Sequence, residues 1–302
     1  MNKNKKRVAI QGWPGANHEI AAKDYFEEAI EVIPCLTFPE LFETLKQDKT
    51  KYGIIAIENT LVGGLLPNYT MLKDSDLMII GEYKLRIKHQ LMALPGQTLE
   101  DITEVHSHPM ALAQCEHFFK DYPHIKLIES EDTALSAKLI ADKQIHGIAA
   151  IASELAADMY GLEVLARNIE TNKKNFTRFL ILTDKGKTEV DDLLIKDKVN
   201  KASLVFSLPH EEGSLSKILT ILAFYNINLT KIQSLPIVGQ EWEYLFYVDV
   251  TFTDYNRYLQ SLDAIRPLCS KLKILGEYAK GKQSYPIQNG KQTTSESENL
   301  IA

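Results

Sequence analysis

Apolar residues in the first 185 positions come in short runs separated by amphipathic stretches. Residues 8–11 read as a strand and 17–29 as a helix. Residues 32–38 read as a second strand, after which Pro39 suits the first turn of a helix reaching about Lys46. Residues 52–57 are apolar nearly throughout, the pattern of a strand covered on both faces. This alternation predicts an α/β layer architecture with mainly parallel sheets. It breaks at 77–94, a long extended segment in which Leu85, Ile87, Gln90 and Met92 mix with polar residues. We read that segment as a crossing between two lobes. A second α/β set follows: a strand at Val105, a helix over 109–119, a strand over 126–128, a helix over 132–141 and a strand over 147–151. Residues 177–182 then return the chain to the first lobe. Two lobes joined by crossing strands leave a cleft of the kind where small ligands bind.

Residues 186–201 are charged and poor in large apolar side chains apart from Leu193, Leu194 and Ile195, so they read as a linker. Residues 202–280 give a β-α-β-β-α-β pattern. Its strands are 202–207, 228–236, 243–252 and 272–278, and its helices 213–225 and 255–269. From Gly281 the chain turns to Gln, Ser, Thr and Glu with few apolar residues, a composition that predicts disorder over 281–302. The expected organisation is a bilobal domain at 1–185, with lobe 1 at about 1–80 plus 168–185 and lobe 2 at about 81–167. The linker and a smaller domain at 202–280 follow. The fold class is α/β: a two-lobed, periplasmic-binding-protein-like domain joined to a ferredoxin-like βαββαβ unit.

At 302 residues, with 45% apolar and 25% charged residues, the composition is that of an ordinary globular chain of two or three units. A net charge of −6, with basic residues gathered only at Lys3, Lys5, Lys6 and Arg7, argues against a nucleic-acid footprint. The apolar stretch Val8-Ala9-Ile10 is far shorter than the ~7–15 residues of a secretory h-region. No run approaches the ~20 residues of a membrane span, so a cytoplasmic protein with no membrane partner is expected. Cys35, Cys115 and Cys269 are odd in number and far apart, which reads as reduced thiols. His106 and His108 form an HxH pair with no third ligand nearby, so no metal is expected.

Several segments carry candidate chemistry. The run from Gly12 to His18 is a glycine-flexed turn feeding a helix, whose free backbone N–H groups would point at an anion, with Asn17 as N-cap. Its spacing is not GxGxxG and no P-loop lysine follows, which argues against a nucleotide. Glu58, Asn59 and Thr60 stand where a buried strand ends, the position of ligands in open α/β sheets. Asn59 and Thr60 can donate to a carboxylate, Gly63 and Gly64 let backbone approach, and Glu58 would orient a neighbour or act as a base. Ser107 or His108 would cap the helix that Pro109 begins. Thr133 opens another, either facing the cleft or supporting the helix end. The most informative segment is Asn175-Phe176-Thr177-Arg178-Phe179, followed by Leu180-Ile181-Leu182. Thr177 is a hydroxyl donor, Arg178 a planar fork for a carboxylate, Phe179 an aromatic face, and Asn175 can fix either neighbour. Each segment alone also fits a bland reading: a tight turn, a cap, or a strand with an ordinary salt bridge.

Taken in order, these segments resemble the prephenate dehydratases. Ile57-Glu58-Asn59-Thr60 is similar to their I-E-N-S. Residues 107–115 are similar to their H-P-Q-A-L-A-Q-C. Residues 149–153 with Tyr160-Gly161-Leu162 fit the next segment, and Asn175-x-Thr177-Arg178-Phe179 matches N-x-T-R-F. The resemblance covers almost all of residues 7–280. It implies conversion of prephenate to phenylpyruvate with loss of carbon dioxide and water, without cofactor or metal. By the same resemblance Thr177 hydrogen-bonds the departing oxygen. Arg178, Asn59, Thr60 and helix N-termini hold the two carboxylates, and Gly15, Gly63, Ser107, His108, Thr133, Asn175 and Phe179 complete the site. The first loop departs from the family, which usually has a hydroxyl residue and an aromatic, then serine, after the second glycine. Here Ala16-Asn17-His18 follows, and Asn17 and His18 are the candidates to replace the donor. The motifs do not separate a prephenate from an arogenate dehydratase. No added helical segment suggests chorismate mutase. A non-catalytic cytosolic small-molecule sensor is the rival of another class.

Residues 202–280 resemble an ACT domain, a module that binds amino acids at domain interfaces. Gly213-Ser214-Leu215 is similar to the family's G-A-L loop, and Gln233-Ser234-Leu235-Pro236 stands where E-S-R-P is usual, without its two charges. The resemblance implies phenylalanine as feedback effector and a homodimer or homotetramer built through this domain. Asn226 and Asn228 are candidates for the effector's charged ends.

Overall fold

Three sheets organise the chain in the computed structural model, which describes residues 5–47, 49–185 and 198–284. The first contains β1 (Lys6–Gln11), β2 (Ile30–Cys35), β3 (Tyr52–Asn59), β4 (Gly63–Gly64), β5 (Leu77–Arg86), β11 (Phe176–Asp184) and β16 (Lys282–Gln283). Its order is β16-β5-β11-β3-β1-β2, with β4 on β3. β1 runs parallel to β2 and β3, but β11 is antiparallel to both β3 and β5. The sheet is therefore mixed rather than mainly parallel, because β11 returns from the second lobe and is not the end of a strand–helix–strand crossover.

Alternation along β11 explains why it reads as one apolar run. Phe179 and Ile181 pack with Ala21 and Ala22 of α1 (Asn17–Phe26). Leu180 and Leu182 pack with Leu41 and Leu45 of α2 (Phe38–Lys46) and with Tyr69 and Leu72 of α3 (Leu66–Asp74). Each such side chain, fully buried, contributes about 1.5–3 kcal/mol. Thr37 caps α2 by accepting from the Glu40 N–H, one place ahead of a helix that Pro39 helps start.

The second sheet has order β10-β6-β9-β7-β8, from β6 (Gln90–Ala93), β7 (Glu104–Ser107), β8 (Lys126–Glu129), β9 (Ile148–Ala152) and β10 (Glu163–Ala166). α4 (Pro109–Phe119) covers one face, and α5 (Thr133–Lys143) and α6 (Glu154–Tyr160) the other. The chain crosses between lobes at 87–89 and 167–175, so the first lobe extends to Arg86 rather than to about residue 80. α3, α6, β4 and β10 were not legible in the apolar pattern. Gly15, at φ +91°, presses onto the second lobe: a Cβ there would lie 2.9 Å from the Cα of Ala156.

The third sheet is antiparallel, in order β13-β14-β12-β15. It is built from β12 (Lys201–Ser207), β13 (Asn228–Pro236), β14 (Tyr244–Thr251) and β15 (Lys271–Tyr278), with α7 (Ser214–Phe224) and α8 (Tyr255–Ile265) on one face. This is a ferredoxin-like βαββαβ unit. Its other face packs on the first lobe, where Val205, Tyr247, Leu275 and Tyr278 join Tyr69, Leu72 and Ile79 in one core. The approach is so close that a Cβ on Gly276 would lie 2.1 Å from the carbonyl oxygen of Ile79.

After β15 the chain turns back. β16 pairs in parallel with β5, and the Ser284 N–H donates to the Lys84 carbonyl. Residues 281–284, expected to begin a disordered tail, thus cover the open edge of the first sheet, where β5 would otherwise leave backbone groups unpaired. Most of the expected linker (186–197) and the rest of the tail (285–302) lie outside the described residues. Among the described residues no helix is long and apolar enough to cross a membrane.

Candidate active site at the lobe junction

Thr177 stands at the start of β11, where both crossings converge, and is 8% exposed. Asn59 at the end of β3 donates through Nδ2 to Thr177 Oγ1 at 2.9 Å and to Asn175 Oδ1 at 2.7 Å. Its own Oδ1 accepts from the Leu61 and Val62 N–H groups, which fixes the amide's orientation. Asn175 Nδ2 donates to Gln114 Oε1 at 2.8 Å, and that oxygen also meets His89 Nε2 at 2.8 Å. The backbone N–H of His89 donates to Glu170 Oε2 at 3.0 Å. One polar chain therefore ties β3 and β11 of the first lobe to α4 of the second through both crossing segments. Because Thr177 Oγ1 accepts from Asn59, its own O–H points elsewhere, and among the described residues it has no acceptor. A hydroxyl held by its lone pair, with its proton free, is a positioned donor.

A cleft of about 600 Å³ opens between α1 and α6, with Asn17, Lys23, Leu85, Arg86, Gln90 and Ser153 among its walls. Leu85, one of its lining residues, is the register partner of Thr177, which puts Thr177 beside this cleft though not among its lining residues. Arg86 Nε is buried without a hydrogen-bond partner among the described residues. Beneath the same face, His18 Nε2 accepts from the Ala56 N–H at 3.3 Å, which puts its proton on Nδ1, and the ring meets Phe179 edge-on at 4.9 Å. Burial lowers the His18 pKa from 6.5 to about 3. Between those two values the unfolded chain binds a proton that the folded chain refuses, so stability falls as pH drops from about 6.5 towards 3. Urea midpoints at about pH 7.5 and 5 should therefore differ more in the native protein than in His18→Gln. Equal differences in the two proteins would show that His18 is not kept neutral by the fold.

Residues 8–187 match the family model of prephenate dehydratase. The chain belongs to the prephenate dehydratase family. Among curated relatives, arogenate dehydratase 2 of Petunia hybrida is 38% identical over 289 residues, covering 90% of this chain and 71% of the relative. Among solved structures, the prephenate dehydratase of Arthrobacter aurescens in complex with L-Phe superimposes with a TM-score of 0.78 at 28% identity. That match covers 91% of this chain and 90% of the other. A protein described as a novel type of quorum-quenching acylase, GqqA, superimposes with a TM-score of 0.81 at 29% identity, over 91% and 98% of the two chains.

In this prephenate dehydratase fold the remaining expected site residues divide sharply. Arg178 is not in the cleft. It is one residue from Thr177 on a strand, so its side chain leaves by the opposite face, towards the third sheet. There its Nε donates to Glu82 at 2.6 Å, Nη1 to Glu58 and Asp249, and Nη2 to the Tyr278 hydroxyl at 3.1 Å. Burial opposes its charge, but Asp249, Tyr278, Glu82 and Glu58 hold the pKa well above the ordinary value. Its role as a carboxylate anchor is therefore corrected. So is that of Gly15 and the other glycine of its loop: the Gly12 N–H donates to the Cys35 carbonyl and the Gly15 N–H to Glu19 Oε2, leaving neither free for an anion. The loop instead bridges the lobes, its carbonyls accepting from Ser153 and Tyr160.

Ser107 is fully buried and donates to the Ile151 carbonyl at 2.7 Å, and Phe179 is buried under α1, so neither meets a ligand. Thr60 Oγ1 donates to the Lys174 carbonyl and accepts from the Phe176 N–H, clamping the start of β11 instead of standing free. His18 accepts from the Ala56 N–H through Nε2, which fixes the ring at the start of α1. Glu58 is held by Arg178 and Lys231, away from the cleft. His108 caps α4 through Nδ1 at 3.2 Å, Thr133 is the half-buried first residue of α5, and Gly63 is exposed on β4. Sequence reasoning missed His89 and Glu170, and quoted Gln114 only as part of a motif. A histidine on the segment read as a crossing and a glutamine within the motif at 107–115 were the available signals.

The expected effector residues also separate. Gly213, at φ +77°, begins α7, and Ser214 and Leu215 form its first turn. Asn226 and Asn228 lie beyond the other end of that 11-residue helix, about 16 Å away by helical rise. They cannot share a pocket with Gly213 in one chain. On β13, which runs back alongside, Ser234 comes near the Gly213 end, while Gln233 turns to the opposite face, towards Gly64.

Proposed function

We propose that the chain is a prephenate dehydratase controlled by phenylalanine. The observation that carries this reading is the Thr177 hydroxyl, clamped by Asn59 at the lobe junction with its proton unengaged. In the proposed reaction the bond to the ring carboxylate breaks and CO2 leaves. Its electron pair enters the ring, and the C4–O bond breaks with its own pair. The departing oxygen takes a proton and leaves as water, and the ring becomes aromatic. Thr177 hydrogen-bonds that oxygen as negative charge develops on it, the moment at which a preorganised donor counts most. Asn59 holds Thr177, and Asn175 in turn holds Asn59. His108, Thr133 and Gly63 are proposed to face the substrate from α4, α5 and the turn after β3. Closure of the lobes over the cleft would exclude water.

The proposed division is a catalytic domain at 1–185 and an ACT regulatory domain at 202–280, with phenylalanine bound near Gly213, Ser214, Leu215 and Ser234. The ferredoxin-like topology supports this division. A cytoplasmic homodimer or homotetramer joined through the second domain completes the proposal. The likeness to an arogenate dehydratase favours a second substrate, in which an amine replaces the side-chain ketone. Purified protein should convert prephenate to phenylpyruvate, or arogenate to phenylalanine, and added phenylalanine should slow it. Failure with both substrates, with hydrolysis of an acylated compound instead, would reject the dehydratase reading.

A further inference from the structure

Three carboxylates and three cations meet in the buried interface between the first and third sheets. The carboxylates are Glu58 on β3, Glu82 on β5 and Asp249 on β14, and the cations Arg178 on β11, Lys201 on β12 and Lys231 on β13. The cluster is closely satisfied. Lys201 Nζ bridges both oxygens of Glu82 at 2.9 and 2.7 Å, and the Gly281 N–H adds a third donor at 3.1 Å. Asp249 accepts from Ser203 at 2.5 Å, and Ser203 meets the Tyr278 hydroxyl at 2.7 Å. Every strand of the third sheet supplies a member: Lys201 and Ser203, Lys231, Asp249, and Tyr278. In the first sheet the members sit on the three strands around Thr177.

Two of those first-sheet members adjoin the candidate active site. Glu58 precedes Asn59, the residue that holds the Thr177 hydroxyl, and Arg178 follows Thr177. Glu58 and Arg178 face one another in register, as do Asn59 and Thr177 one step along. A β-bulge follows at Arg178/Phe179, where the register shifts. The bulge frees the ends of β3 and β11 from strict ladder geometry, so the placement of the Thr177–Asn59 pair depends on what grips their neighbours on the far face.

We propose that Arg178 is a positioning residue. It fastens the strand carrying Thr177 to the third sheet, so that a shift of that sheet is transmitted to the Thr177–Asn59 hydrogen bond. The chemistry of the transmitting element is a charge cluster: Asp249 and Tyr278 pull Arg178 from one side while Glu58 and Glu82 hold it from the other. This rests on the dehydratase reading for its catalytic readout and deepens it by naming the route of phenylalanine control.

The test is Asp249→Asn in the full chain, which keeps an acceptor for Ser203 and removes one charge from Arg178, with Tyr278→Phe as the milder variant should the first fold poorly. If the proposal holds, kcat falls with KM nearly unchanged and phenylalanine inhibition weakens about tenfold, a usual size for coupling between two sites. A rise in KM alone would mean that Arg178 touches substrate after all, and native kcat and inhibition in a folded variant would overturn the proposal. Hydrogen exchange without substrate separates this from failure of the dehydratase reading. The Thr60 and Ile87 N–H groups donate to the Phe176 and Asn175 carbonyls. They should exchange faster in Asp249→Asn while the Lys126 N–H of the second lobe does not. Uniform acceleration, or none, would overturn the proposal even if the native protein turns over neither substrate.

Discussion

Thr177→Ala will lower kcat about a hundred- to a thousand-fold, the usual cost of removing one preorganised donor from a developing oxyanion, while KM changes little. The fold should survive. Asn59 Nδ2 keeps its bond to Asn175 Oδ1, so the missing partner costs only about 0.5–1.5 kcal/mol of stability. Thr177→Ser is the control, because it keeps the O–H and removes only a methyl group. A serine variant close to native, beside an alanine variant that is nearly dead, would locate the effect in the hydroxyl proton. Turnover in Thr177→Ala within a few-fold of native would show that this unengaged proton takes no part in the reaction.

The elements that position Thr177 were legible in the chain because their signals are local. The apolar run Leu180-Ile181-Leu182 marks a strand buried on both faces, and the structure shows its odd and even residues packing against α1 and against α2 and α3. Pro39 and Pro109 mark helix starts that are present. The βαββαβ alternation of 202–280 gives the observed order of strands and helices. What escaped depends on partners distant in sequence. β16 exists because the edge of β5 is open, a fact that no property of residues 281–284 reveals. The short helix α6 did carry a local signal: Ser153 accepts from the Ala156 N–H, an ordinary N-cap.

The reading of the site erred for a reason already present in the sequence. Thr177 and Arg178 are adjacent, and a strand sends adjacent side chains to opposite faces, so one crevice could not receive both. Recognising the strand should have separated them. The same rule separates Gln233 from Ser234 on β13. Conversely, Asn175 and Thr177 share a face, and the structure joins both to Asn59. Composition gave no hint of the six-charge cluster, because its members span positions 58 to 249 and meet only when two sheets pack. Buried charges so arranged are costly to break, which makes Arg178 the most severe test of the architecture.

Replacing Arg178 should cost more stability than any surface substitution in this chain. Arg178→Met leaves Glu58, Glu82 and Asp249 facing only Lys201 and Lys231, and breaking a buried ion pair from one side costs about 3–5 kcal/mol. Arg178→Lys keeps the charge but offers three donors from one nitrogen. It cannot span Glu82, Glu58, Asp249 and the Tyr278 hydroxyl together, so each charged hydrogen bond that goes unmade should cost about 1.5–3 kcal/mol. Acid sharpens the contrast. Burial alone would raise the Glu82 pKa, but Arg178 and Lys201 outweigh it and bring the value from 4.5 down to about 2. The stability Glu82 contributes is complete above its unfolded value and disappears as pH falls towards about 2. Without Arg178 the folded pKa rises, so acid unfolding should begin at higher pH. Urea midpoints at neutral pH and at about pH 4, measured beside KM for the dianionic substrate, decide the matter. A native midpoint with KM raised about tenfold in Arg178→Lys would return this residue to the cleft. A lowered midpoint with native KM in the folded fraction would keep it between the sheets.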